Sequence, residues 1–275
     1  MKQAGKYLPE HSLLAAALVL TATGFWDIYF GDSPAPGSRQ HFHLVANLLW
    51  LTLLTWQLRL AATGNFAGHR VVGTWVLLLA PLLFASTSML SVHSARKGMV
   101  SGLGDALIVQ NVMGTLEFGL LVLLAFVFRK RRRLHGALLL STAILFMGIA
   151  LFFTLIGLVP AFRIEGPETF HRFASAAMTG QAVCLAVGLA FVARDWRNGW
   201  PFLLAALFFP LNELLRVLLA EIGLIQPLTR FVGSLGEIPV LAGSFALMLG
   251  LLLAMGIGRS RPAMQPGWQR TGAPE

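Results

Sequence analysis

Eight apolar runs, each close to 20 residues long, alternate along the chain with short segments that hold Gly, Pro or charge. They fall at roughly 12–30, 41–63, 71–92, 105–128, 136–159, 172–193, 199–222 and 235–258. A helix of that length crosses a hydrocarbon core of about 30 Å. The period-2 alternation of a barrel is absent, so helices must satisfy the backbone polar groups. The pattern predicts an all-α, polytopic transmembrane helix bundle of about eight spans. Residues 1–258 read as one domain, and residues 259–275, with Pro262 and Pro266, read as a polar, disordered tail.

Polar positions inside the runs are informative because lipid does not tolerate them cheaply. In the second run, positions 43, 47, 50, 54 and 57 repeat at intervals of 4, 3, 4 and 3, so one helical face carries His43, Asn47, Trp50, Leu54 and Gln57. That face is expected to turn inward, as a wall of an internal site, although Asn47 and Gln57 alone would also serve as interhelical glue. The fourth run carries Gln110, Asn111, Gly114 and Glu117, with Gln110, Gly114 and Glu117 on one face. In the seventh run, Pro210 predicts a kink and is followed by Asn212, Glu213 and Arg216. An unpaired charge at such depth costs at least about 2.5–3.5 kcal/mol. Arg216 therefore needs a carboxylate, locally Glu213 or across the bundle Glu117. The sixth run adds Gln181 below His171.

Charge sets the direction. Lys and Arg concentrate in "MKQAGK", the Arg59–Arg70 turn, "RKRRR", "RDWR" and "RSR", which alternate with poorer segments. The positive-inside rule then places both termini in the cytoplasm; a bacterial inner membrane is the expected location. The first run is long and lacks a clean small-x-small cleavage site, so it reads as an uncleaved helix rather than a signal peptide.

Composition agrees. The chain is 56% hydrophobic and only 12% charged, with a mean hydropathy of +0.71, whereas soluble domains carry about 25% charged residues. The net charge of +9 reports topology, and nucleic acid is not expected as a partner. The partner is the lipid bilayer; a membrane-protein partner or a homo-oligomer is compatible with the sequence. The one cysteine, Cys184, excludes an internal disulfide and a Cys-rich metal site.

The seven histidines then sort into layers. His41, His43, His93 and His171 fall at outer ends of spans, His69 and His135 at inner ends, and His11 before the first span. For each alone, a hydrogen bond to a headgroup or water at the interface is the ordinary explanation. Phe42-His43 and Phe170-His171 open spans two and six after Pro-containing loops, the trace of a weak parallel repeat that would set the two histidines at one depth. Two inward imidazoles at one depth suit the axial positions of haem b, with His93 a third candidate. His69 and His135 would serve a second haem on the inner side. A Zn, Cu or Fe site would use the outer histidines with Asp27, Asp32, Asp105, Glu165 or Glu168. No HExxH, CxxC, GxSxG, Walker or dinucleotide motif is present, so no catalytic residue is assigned.

The run "HFHLVANLLWLTLLTWQLRLAATGNFAGHRVVGTW" resembles a pattern in uncharacterised bacterial multi-pass membrane proteins. Its positions here are His41, His43, Trp50, Gln57, Leu60, Gly64, His69, Arg70 and Gly73. "RRRLHGALLLST", "ARDWRNG" and the Arg of "NELLRVLL" look like later sections of the same group, with Gly136 where that group carries Lys or Arg. The resemblance implies a shared fold and no known activity. A more distant likeness is to two-haem transmembrane cytochrome b proteins that take electrons from ascorbate, on the histidines at opposite ends of consecutive helices, His43, His69 and His93. The fourth span has no histidine, so the full ligand pattern of those proteins is not reproduced.

Three functions follow as expectations. The first is a redox or metal-binding protein with an outer site at His43, His93 and His171. The second is a transporter or channel-like protein with Glu117, Glu213 and Arg216 along its path. The third is a non-catalytic scaffold or accessory subunit. A lipid-modifying enzyme is the remaining class.

Overall fold

The computed structural model describes residues 7–31, 34–101, 105 and 107–257. The tail from residue 259 and Asp32 lie outside the described residues. Eleven α-helices follow one another: α1 Leu8–Gly24, α2 Trp26–Phe30, α3 Ser38–Ala62, α4 Phe66–Gly73, α5 Val76–Ser101, α6 Ile108–Val127, α7 Arg132–Leu158, α8 His171–Arg194, α9 Trp200–Glu221, α10 Ile225–Ser234 and α11 Glu237–Ile257. Among the described residues there is no β-strand. Among the described residues, eight segments are long and apolar enough to cross a membrane, and each overlaps an expected span.

α7 is the centre. Over its most apolar stretch 61% of residues are buried, against 11% for α11 at the periphery. Its sequence explains the position: from Gly136 to Leu158 it carries no charge, and small residues let neighbours come close. Gly148 lies against the Phe209 ring and Cys184, Gly157 against the Asp27 carboxyl, and the Ala150 carbonyl against Gly24 of α1. α7 packs on α1, α6, α8 and α9; α5 packs on α3, α11, α10 and α6; α8 packs chiefly on α9 and α7.

Two short helices lie where connections were expected. After α3, Gly64 takes φ +74°. Asn65 N–H reaches the Leu60 carbonyl at 2.9 Å and Gly64 N–H the Ala61 carbonyl at 3.2 Å, a glycine-terminated helix end. Asn65 then caps α4 by accepting from Gly68 N–H at 2.9 Å. The third span consequently starts at Val76 instead of 71 and runs on to Ser101 instead of 92. Gly223, at φ +71°, ends α9 in the same way. α10 follows it and buries Thr229, Val232 and Gly233 against α5. Its spacing was helical, but Pro227 and Arg230 made the segment read as a loop.

Candidate functional site

The stripe on α3 turns inward as expected. Asn47, Trp50, Leu54 and Gln57 are all buried. Trp50 Nε1–H donates to Thr142 Oγ1 of α7 at 3.0 Å, and its ring meets Phe118 edge-on. Gln57 Nε2 donates to the His69 carbonyl at 3.1 Å.

The outer histidines each have a different partner. His43 Nδ1 lies 3.1 Å from Ser86 Oγ of α5, with Phe25 beside its ring. His171 is exposed at the start of α8 and donates from Nδ1 to the Glu168 carbonyl at 3.0 Å. Its helix packs chiefly on α7 and α9, whereas α3 packs chiefly on α5, α1 and α4. His41 is exposed and bonded to the Tyr29 hydroxyl at 2.7 Å. His93 is a correction of a different kind. It lies inside α5, not at its end, 4.0 Å from the Glu237 carboxylate. The helix continues past it because Arg96 donates to the Gly233 and Leu235 carbonyls at 3.0 and 2.7 Å and to Glu237 at 3.3 Å. Arg39 also pairs with Glu237. This cluster ties α3, α5, α10 and α11 together; Glu237 was missed because a carboxylate at a helix start reads as ordinary solvation.

The carboxylates once considered as metal ligands are likewise dispersed. Asp105 is buried and accepts from Leu107 N–H at 2.9 Å at the start of α6. Asp27 packs on Gly157, and Glu165 lies 3.9 Å from Arg172. Among the described residues, no three of His, Cys, Asp and Glu are grouped as a metal site requires.

The opposite, arginine-rich end holds a cavity of about 1140 Å³. His69 of α4 and His135 of α7 both line it, together with Gln57. Arg70, Arg129, Arg132, Arg133 and Arg194 stand around it against the two carboxylates Glu10 and Asp195. Leu54, Leu58, Phe126, Leu139, Leu140 and Phe202 supply apolar wall. Each histidine uses Nδ1–H on a backbone carbonyl: His69 on Gln57 at 3.3 Å and His135 on Ala125 at 2.8 Å. That fixes both tautomers and leaves Nε2 as the remaining nitrogen of each ring. Arg194 pairs with Glu10 at 2.9 Å, and Arg132 lies over the Phe66 ring at 5.4 Å. Beside the cavity, the Asn198 side chain donates to Asp195 at 2.9 Å, which holds the Asp195 carboxyl below the usual aspartate range. His11 bonds the Tyr7 carbonyl at 2.7 Å within its own turn.

A third polar group lies in mid-bundle between α6 and α9. Asn212 Nδ2 donates to Glu117 Oε2 at 3.2 Å and reaches Gln110 Oε1 at 3.4 Å. Glu117 and Asn212 are both buried. Arg216 does not join them. It pairs with Glu213 at 2.6 and 2.8 Å, with both side chains substantially exposed. Gln181 is half-buried on α8. Comparison with protein-family models, with curated proteins and with solved structures finds no match to this chain.

Proposed function

We propose that the chain is a membrane redox protein that binds haem b at the arginine-rich end, between His69 and His135. One observation carries the reading: two imidazoles from different helices line one cavity, each with Nδ1–H anchored on a backbone carbonyl. Histidines that bind a metal are usually held in this manner, since the anchored Nδ1–H fixes the ring and leaves Nε2 as donor. The rest of the donor set fits the same group. Leucine and phenylalanine walls suit a macrocycle, and arginines suit its carboxylates. At about 1140 Å³ the cavity exceeds the roughly 300–1,000 Å³ of ordinary small-ligand pockets.

Haem b, when bound, supplies one-electron chemistry. The protein's part is to hold two imidazoles, to exclude water with the α3 and α7 walls and to balance carboxylates with guanidinium groups. The positive-inside rule puts this end in the cytoplasm, so electrons exchange there. The outer pairing of His43 with His171 lacks such support: His43 bonds Ser86 of α5 and His171 the Glu168 carbonyl. A continuous path through Glu117, Glu213 and Arg216 has no support either, since the last two pair with each other away from Glu117.

The test is the absorption spectrum of detergent-purified full-length protein, supplied with haem during expression. A Soret band is expected, lost in His69→Ala and in His135→Ala and kept in His171→Ala. A colourless preparation that also fails to take up added haem would end the reading, as would a band that survives loss of both inner histidines.

A further inference from the structure

We infer that Glu117, Gln110 and Asn212 form a proton-exchange site in the core of the bundle, separate from the haem reading and independent of it. The site is built from three side chains on two helices. Glu117 is 4% exposed and Asn212 3% exposed, so neither meets bulk solvent. Glu117 sits nine residues into α6, about 14 Å from its start at 1.5 Å per residue, near the middle of the span. Burying a carboxyl group there costs most when it is charged and unpaired.

The charged groups on every neighbouring helix are accounted for elsewhere. α6 packs on α5, α7, α9, α10 and α11. On α9, Glu213 and Arg216 hold each other on an exposed face, and Glu221 is exposed. On α5, His93 and Arg96 gather at Glu237 of α11, at the far end of those helices, and Lys97 is exposed. Arg132, Arg133 and His135 of α7 stand at the arginine-rich cavity, and Arg230 of α10 is exposed. Among the described residues no cation lies within 4 Å of Glu117, and its carboxyl accepts from the Asn212 amide.

Gln110 supplies the second, independent observation. Its Oε1 accepts from Asn212, while its Nε2 is buried and has no partner. Gly114 stands on the same helical face between Gln110 and Glu117. A Cβ there would lie 3.7 Å from Gln110 Nε2, so the amide lies over the bare glycine, on the helical face that also carries Glu117. The three residues therefore provide for both forms of the acid. The protonated carboxyl can donate its O–H and accept from Asn212. The ionised carboxyl needs a second donor, and Gln110 Nε2 is the one in reserve. A purely structural hydrogen bond between Asn212 and Glu117 has no use for that spare donor. The exchange itself moves one proton between the carboxyl and a water admitted when the helices part transiently, and no other bond changes.

The test is labelling of the purified full-length chain with dicyclohexylcarbodiimide, which reacts with protonated carboxyls in apolar surroundings, read by peptide mass spectrometry. Labelling at Glu117 is expected to fall steadily from acid to alkaline pH and to vanish in Glu117→Gln. Gln110→Leu removes the reserve donor, so alkaline labelling at Glu117 should rise roughly tenfold, the equivalent of one charge-assisted hydrogen bond. Labelling that does not vary with pH, or that is the same in Gln110→Leu as in the parent, overturns the proposal. If the reagent fails to reach Glu117, infrared difference spectra decide. A protonated-carboxyl band that titrates in the parent and is missing in Glu117→Gln supports the site, and one that does not titrate overturns it. Sodium ions that block labelling at constant pH would assign the site to a metal cation and overturn the proton assignment.

Discussion

Asn212 of α9 donates its side-chain amide to the Glu117 carboxyl of α6 at 3.2 Å, near the middle of both helices. A single polar contact thus joins two spans where water is scarce. In such surroundings the contact is worth less than its isolation suggests, because the separated helices also find partners. A double-mutant cycle of Glu117→Leu and Asn212→Leu in detergent unfolding is expected to give a coupling of about 0.6 kcal/mol and no more than about 1.7 kcal/mol. A coupling indistinguishable from zero would mean that the two side chains do not meet.

His43 and Ser86 bond across α3 and α5, whereas His171 stands exposed on α8. His43→Ala and Ser86→Ala should therefore be less than additive, since either removes the same bond. His43→Ala and His171→Ala should add within about 0.3–0.5 kcal/mol, as distant sites do. Strong coupling between the two histidines, measured by thermal unfolding, would restore the outer-site reading.

Close helix contacts depend on particular glycines. A Cβ on Gly24 would lie 2.8 Å from the Ala150 carbonyl oxygen, and one on Gly188 would lie 2.9 Å from Leu203 Cα and 3.0 Å from the Phe202 carbonyl oxygen. These neighbours are backbone and cannot rotate away. Gly24→Ala and Gly188→Ala are each expected to cost about 1–3 kcal/mol. Gly243→Ala and Gly250→Ala on α11 meet nothing within 4 Å and should change stability by less than about 0.5 kcal/mol. Melting temperatures of the four variants check the contrast.

The α8–α9 turn carries a pH dependence of known sign. Hydrogen bonds from Asn198, chiefly from its side chain, hold the Asp195 carboxyl below its ordinary value of 3.8. A depressed folded-state value means that the stabilisation is present above the unfolded value and is lost as pH falls through the folded one. Asp195→Asn should thus lower the melting temperature at neutral pH, and the gap from the parent should close only below about pH 4. A gap that widens in acid would reverse the assignment.

The inward face of α3 was readable because membrane helices cannot hide polar side chains from lipid except by facing protein. The 4-3-4-3 spacing of His43, Asn47, Trp50, Leu54 and Gln57 therefore specified burial before any partner was known. The partners were not readable. Thr142 as the partner of Trp50, Ser86 of His43 and Asn212 of Glu117 lie 92, 43 and 95 residues away. Arg216 was assigned a carboxylate from the cost of burial, and it has one in Glu213. Glu117, offered as the alternative, took an amide instead.

The amino-acid sequence alone determined that this chain is a bundle of eight apolar helices, because spanning length and the need to satisfy every backbone group leave no other solution. It also determined which face of α3 turns inward. Tertiary structure alone decided which histidines share a space. His69 and His135 line one cavity, while His43 bonds Ser86 and His171 the Glu168 carbonyl, because side-chain encounters are set by how the helices come together in space, and hydropathy is the same whichever neighbour a helix chooses.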